Sequence, residues 1–101
     1  MELVLALDQG GQSSRACVFD GRGALLAQAS VPVAESRPAP GRVEQDPEEL
    51  VDSLRTAAEQ ALREVGSREV SACGLATQRA SLACWDKGSG RALAPILSWQ
   101  D

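Results

Sequence analysis

The sequence predicts an α/β fold: an antiparallel three-strand meander, a crossover helix, a parallel fourth strand and then a hairpin. Three observations predict it. Leu3-Val4-Leu5-Ala6-Leu7 is a nearly continuous apolar run, the pattern of a central strand covered on both faces. Short turn signals then separate it from two further strand-like segments. A capped segment with helical spacing follows from Asp46, and a fourth apolar run, Val70 to Thr77, comes after it.

Each element has its own local reason. The first strand ends in a polar, glycine-containing turn, Asp8-Gln9-Gly10-Gly11-Gln12-Ser13-Ser14, and Arg15 to Asp20 reads as the second strand. Asp20-Gly21-Arg22-Gly23 is a tight turn signal leading to a third strand across Ala24 to Val33. Ala34 to Gln45 carries Pro38, Pro40 and Gly41, which predicts irregular chain. Asp46 is placed to cap a helix, Pro47 suits the first helical position, and Glu49 completes a capping-box-like spacing. Leu50, Leu54, Ala58, Ala61, Leu62 and Val65 fall on one helical face, and Gly66 stands where the helix can end. A helix between two strands of one sheet is a crossover, so Val70 to Thr77 should run parallel to a neighbour. Ser81 to Asp86 and Ala92 to Trp99 flank Lys87-Gly88-Ser89-Gly90, which reads as a hairpin. This order of elements is the one with which the ribonuclease H-like fold of actin-like ATPases begins.

Composition narrows the function. The chain has 101 residues, 44% hydrophobic and 24% charged, within the range of a globular protein. Its net charge of −4, with Lys87 the only lysine and the arginines scattered, argues against a nucleic-acid partner. No apolar run reaches membrane-spanning length, and the N-terminus lacks the basic and cleavage-site features of a signal peptide. Cys17, Cys73 and Cys84 are widely spaced within apolar stretches and read as buried, reduced residues in a cytoplasmic protein. With no histidine and no close cysteine pair, a structural zinc site has no ligands.

The turn after the first strand has the chemistry of an anion site. Glycines let backbone N–H groups approach an anion, Ser13 and Ser14 add hydroxyls, and Arg15 adds fixed positive charge. Asp8, at the strand end, is placed to hold a Mg²⁺ ion directly or through water. By residue type alone, a plain β-hairpin accounts for the same segment.

Asp8-Gln9-Gly10 and Ser13-Ser14-Arg15, followed by Val18-Phe19-Asp20, resemble the opening signature of the FGGY carbohydrate kinases, in its glycerol-kinase-like form. Val43-Glu44-Gln45-Asp46-Pro47-Glu48-Glu49 resembles the segment that opens their first helix. Gly74-Leu75-Ala76-Thr77-Gln78-Arg79 resembles their Gly-Ile-Thr-Asn-Gln-Arg strand end. Trp85-Asp86-Lys87 with Gly90, and finally Trp99-Gln100-Asp101, match the following hairpin and its exit. The matching segments lie in the family's order and spread over the whole chain.

The resemblance implies that residues 1–101 are the N-terminal part of the first kinase domain of a longer, cytoplasmic enzyme, for which a homo-oligomer is plausible. Its cofactors would be ATP and Mg²⁺, and its partner a sugar or polyol substrate. Asp8 would take the metal-linked role, and Gly10, Gly11, Gln12, Ser13, Ser14 and Arg15 the phosphate side. Arg79, with Gln78 beside it, would bind substrate hydroxyls, and Trp99 would lie against the substrate's carbons. Residue type alone also allows Trp99 a core position and Arg79 a surface ion pair. The family's general base and its adenine-binding domain are expected downstream, so the chain alone is expected to be inactive.

The chain departs from the glycerol-kinase pattern in two places. Gly11 and Gln12 replace a pair of threonines in the phosphate hairpin, and Ala80 stands where a glutamate accepts a hydrogen bond from glycerol. Loss of that acceptor turns the expectation away from glycerol toward another sugar or polyol. The same departures motivate a second reading, a non-catalytic relative kept for binding or regulation. A two-metal nuclease using Asp8 with Glu48 or Glu49 is a third reading, disfavoured because Ala76-Thr77-Gln78 supplies no carboxylate.

Overall fold

The computed structural model describes residues 2–66 and 68–98. Four strands form one sheet: β1 (Leu3–Gln9), β2 (Ser13–Asp20), β3 (Leu25–Pro32) and, after the helix, β5 (Val70–Thr77). Their spatial order is β3-β2-β1-β5, with β1–β2 and β2–β3 antiparallel and β1–β5 parallel. The meander and the parallel fourth strand are therefore present as expected. The β2–β3 turn is closed by Asp20, whose Oδ1 accepts from the N–H groups of Arg22 (2.8 Å) and Ala24 (3.0 Å). Gly23 takes φ +82° there, a conformation that costs a residue with a Cβ about 1 kcal/mol or more.

Helix α1 (Pro47–Val65) begins and ends on the predicted signals. Asp46 Oδ1 accepts from the N–H of Glu48 at 3.0 Å, and Gly66 (φ +69°) closes the C-terminus. The capping box does not close, however. Glu49 turns away, and its Oε1 accepts from the N–H of Ala34 at 2.7 Å, pinning the end of the β3 segment to the start of the helix. The buried face also sits off the predicted centre: Leu50, Ser53, Ala57 and Ala61 are buried, while Leu54, Ala58, Leu62 and Val65 are half-buried. Small residues at the centre let the helix approach the sheet closely. A serine is tolerated there because its hydroxyl is bonded, at 2.7 Å to the carbonyl of Leu50 and 2.7 Å to the Ser14 hydroxyl.

The core follows the period-two alternation of the strands. Leu3, Leu5, Ala16, Val18 and Ala27 meet Ala57 and Ala61, so the odd positions of β1 and the even positions of β2 face α1. A second cluster of Val33, Leu50 and Ile96 fastens the connections to the start of the helix. There the structure adds an element that the prolines and Gly41 hid: β4 (Glu44–Gln45) pairs antiparallel with β6 (Ile96–Leu97). The predicted hairpin between them is held by isolated bridges, Trp85–Ala92 and Leu82–Leu97, rather than by continuous strands.

One expectation about the cysteines fails. All three are free, but Cys17 is only half-buried and Cys73 and Cys84 are exposed. Cys73 lies on β5, which α1 does not cover, so residues 71–77 are exposed and Leu75 keeps 61% of its surface accessible. An apolar sequence gave the correct strand; burial needed a neighbour packed over it.

Candidate functional site

The turn between β1 and β2 is built by its glycines and by the strands on either side. The N–H of Gly10 donates to the carbonyl of Ser13 at 2.9 Å, closing the hairpin. A Cβ on Gly10 would stand 3.1 Å from that same carbonyl oxygen, so the turn is tight enough to favour glycine. Val33, just beyond β3, donates its N–H to the carbonyl of Gln12 at 2.9 Å and fixes the far side of the turn.

Alternation sorts the predicted residues onto two faces. Asp8 and Arg15 are register partners, so both side chains leave the sheet on the face opposite α1, with Ser13 beside them. Asp8 and Arg15 are exposed, and among the described residues neither side chain makes a hydrogen bond or ion pair. Ser14 points the other way. It is fully buried, and its hydroxyl bonds the Ser53 hydroxyl at 2.7 Å, so only its backbone remains for the turn. Gln12 is exposed at the tip.

The parallel pairing of β1 with β5 brings the second predicted group alongside. Gln9 is the register partner of Thr77, so the chain leaving β5 emerges beside the turn that leaves β1. Gln78 is there, with its Nε2 3.1 Å from Gln9 Oε1, 2.9 Å from Gln45 Oε1 and 3.4 Å from the Gly10 carbonyl. Arg79 is exposed next to it. Ala80 follows with φ +57°, the one left-handed non-glycine residue among those described. A small cavity of about 160 Å³ opens here, lined in part by Gln9, Thr77, Gln78 and Ser81. The prediction for Trp99 lies outside the described residues.

Sequence reasoning missed Gln9 and Gln45 as site residues. Gln45 is 2% exposed and comes from the segment predicted to be irregular. A buried glutamine needs partners, but its partners are far away in sequence, and only the fold names them.

The residues present fit a magnesium nucleotide. Among the described residues, no three Asp, Glu, Cys or His side chains come together, so Asp8 belongs to no such cluster. That suits Mg²⁺, which commonly takes one or two carboxylates and completes its shell with water and phosphate oxygens. It does not suit the carboxylate cluster of a two-metal nuclease. Among the described residues, no hydrogen bond takes up the N–H of Gly11 or of Gln12, which leaves two donors at the tip for an anion.

A mixed sheet of this order, with a glycine-rich turn after its first strand and a crossover helix behind it, defines the opening part of an actin-like ATPase domain. The comparisons make that specific. The family model for the "FGGY family of carbohydrate kinases, N-terminal domain" matches residues 3–101, and the chain belongs to that family. It is 44% identical over 103 residues to the glycerol kinase of Thermus brockianus, covering 100% of this chain and 21% of that protein. It is 35% identical over 99 residues to the apulose kinase of Pectobacterium atrosepticum, covering 98% of this chain and 20% of the relative. The crystal structure of xylulose kinase from Rhodospirillum rubrum superposes with a TM-score of 0.93 at 24% identity, over 99% of this chain and 21% of that one, which shows the shared fold. The chain thus spans about a fifth of the length of the relatives it matches. No helix among the described residues is long and apolar enough to cross a membrane.

Proposed function

We propose that this chain forms the phosphate side and part of the substrate side of an ATP-dependent kinase that transfers the γ-phosphate to a hydroxyl of a sugar or polyol. The carrying observation is the side-by-side exit of β1 and β5, which puts the glycine turn and Gln78-Arg79 at one end of the sheet. Phosphoryl transfer depends on placing an anionic donor and a hydroxyl acceptor together and on stabilising the charge between them. In this reading the turn from Gly10 to Ser14 offers backbone donors to the phosphates, and Arg15 supplies positive charge on the open face. Asp8 would hold Mg²⁺, which supplies charge neutralisation at the phosphate oxygens. The guanidinium of Arg79 would donate to adjacent substrate hydroxyls, with Gln78 on the same side, and Trp99 would pack on the substrate's carbons. In this reading the general base and the adenine site belong to the remainder of a longer, cytoplasmic protein, a homo-oligomer without nucleic-acid or membrane partners.

The test is ATP consumption by the complete protein against a panel of polyols and ketoses. Turnover with at least one is expected; no turnover with any, together with no heat of MgATP binding, overturns the reading. A sharper expectation concerns Ala80. Ala80→Glu restores a hydrogen-bond acceptor at the substrate side, so it should raise kcat/KM for glycerol roughly 100-fold relative to the best larger substrate, the scale of one charged hydrogen bond. An unchanged ratio would remove Ala80 from the specificity determinants.

A further inference from the structure

We propose that Gln9, Gln45 and Gln78 form a positioning device that aims the backbone N–H groups of the β1–β2 turn at the nucleotide's phosphates and couples that aim to the strand end carrying Arg79. It rests on the kinase reading above and assigns roles to two glutamines outside the predicted site.

Hydrogen-bond logic fixes the polarity of the network. The carbonyl oxygens of Gly10 and Gly11 can only accept. Gln9 Nε2 donates to the Gly10 carbonyl at 2.9 Å, and Gln45 Nε2 donates to the Gly11 carbonyl at 2.8 Å. Both amides therefore turn their oxygens the other way, toward Gln78. Gln78 must answer with its nitrogen, at 3.1 Å from Gln9 Oε1 and 2.9 Å from Gln45 Oε1. Its own oxygen is left to accept from the Ser81 hydroxyl at 2.8 Å. Two backbone carbonyls at the turn thus set the orientation of three side-chain amides, and the chain of bonds ends on residue 81.

The same bonds orient the donors of the turn. In a trans peptide the carbonyl of one residue and the N–H of the next point in opposite directions, and the described residues contain no cis peptide. Holding the Gly10 carbonyl against the amides turns the Gly11 N–H away from them, and holding the Gly11 carbonyl does the same for the Gln12 N–H. No hydrogen bond takes up either of these two N–H groups at the turn tip among the described residues. Gln78 grips both side chains that grip the turn, so a shift of the 78–81 segment on binding substrate is transmitted to the phosphate donors.

The test uses Gln45→Met, which keeps the length and volume of the side chain but neither donates nor accepts strong hydrogen bonds. Val18→Ala serves as a comparison that loosens the core without touching the network. In the complete protein, Gln45→Met should raise KM for ATP 10-fold or more, where two lost hydrogen bonds set the scale. Val18→Ala should lower the thermal midpoint as much without moving KM for ATP. Hydrogen exchange read by mass spectrometry should speed up in residues 10–13 and 78–82 of Gln45→Met and in neither segment of Val18→Ala. Equal effects of the two variants on KM and on exchange would overturn the proposal, since the network would then contribute only stability. If the unmodified protein phosphorylates nothing yet the two segments still loosen together, the kinase reading fails while the coupling stands.

Discussion

On the proposed reading, Asp8→Asn is expected to lower kcat of the complete protein roughly 100- to 1000-fold, the loss that follows removal of one key electrostatic contact to a transition state. The fold should be untouched. Asp8 is exposed on the face away from α1, and among the described residues its carboxylate makes no hydrogen bond or ion pair, so its removal leaves no partner stranded. A carboxylate kept at a strand end without a structural partner is free for a ligand. The measurement is steady-state kinetics over a range of Mg²⁺ concentrations, beside a thermal unfolding curve. A mutant with both its kcat and its Mg²⁺ requirement unchanged would show that Asp8 does not serve the metal.

Leu3→Ala is expected to have the largest effect on stability, about 3 kcal/mol. Leu3 is fully buried at the start of β1, where it packs with the cluster beneath Ala57 and Ala61. Its strand is also central, paired with β2 on one side and β5 on the other. A cavity there weakens the helix–sheet contact and both strand pairings at once. Domains of ordinary stability hold only about 5–15 kcal/mol in reserve, so the loss is a large share. Denaturant unfolding of Leu3→Ala beside Val51→Ala, whose side chain is 57% exposed on α1, checks the argument. The exposed substitution should cost less than about 0.5 kcal/mol; comparable losses would place the core elsewhere.

The strands and the helix were legible because their causes are local. Alternation along Ser13–Asp20, the glycine in the turn at Gly23 and the Asp46-Pro47 start all act within a few residues. The short pairing of Glu44–Gln45 with Ile96–Leu97 was not legible, because two residues carry no periodicity and their partner lies far along the chain. Glu49 misled for a related reason. Its spacing to Asp46 suits a capping box, but the N–H of Ala34, delivered by the fold, was the partner it met.

The turn after β1 shows the same division. Asp8, Gly10 and Arg15 could be singled out from residue type and resemblance, and alternation places Asp8 and Arg15 on one face. Which serine faces solvent depended on the position of the helix: Ser14 is buried against Ser53, while Ser13 lies on the open side. Gln78 was singled out by the motif that contains it, whereas Gln9 and Gln45 joined the site only through contacts.

By itself, the sequence determined the order of the meander, the helix and the fourth strand, the family and the position of the glycine turn after β1, since backbone propensity, capping and glycine freedom are properties of neighbouring residues. The tertiary structure alone decided which face α1 covers, that β5 stays exposed with Cys73 upon it, and that three glutamines meet behind the turn. Burial and amide pairing depend on residues far apart in the chain. Their free energy exists only once the sheet has brought those residues together.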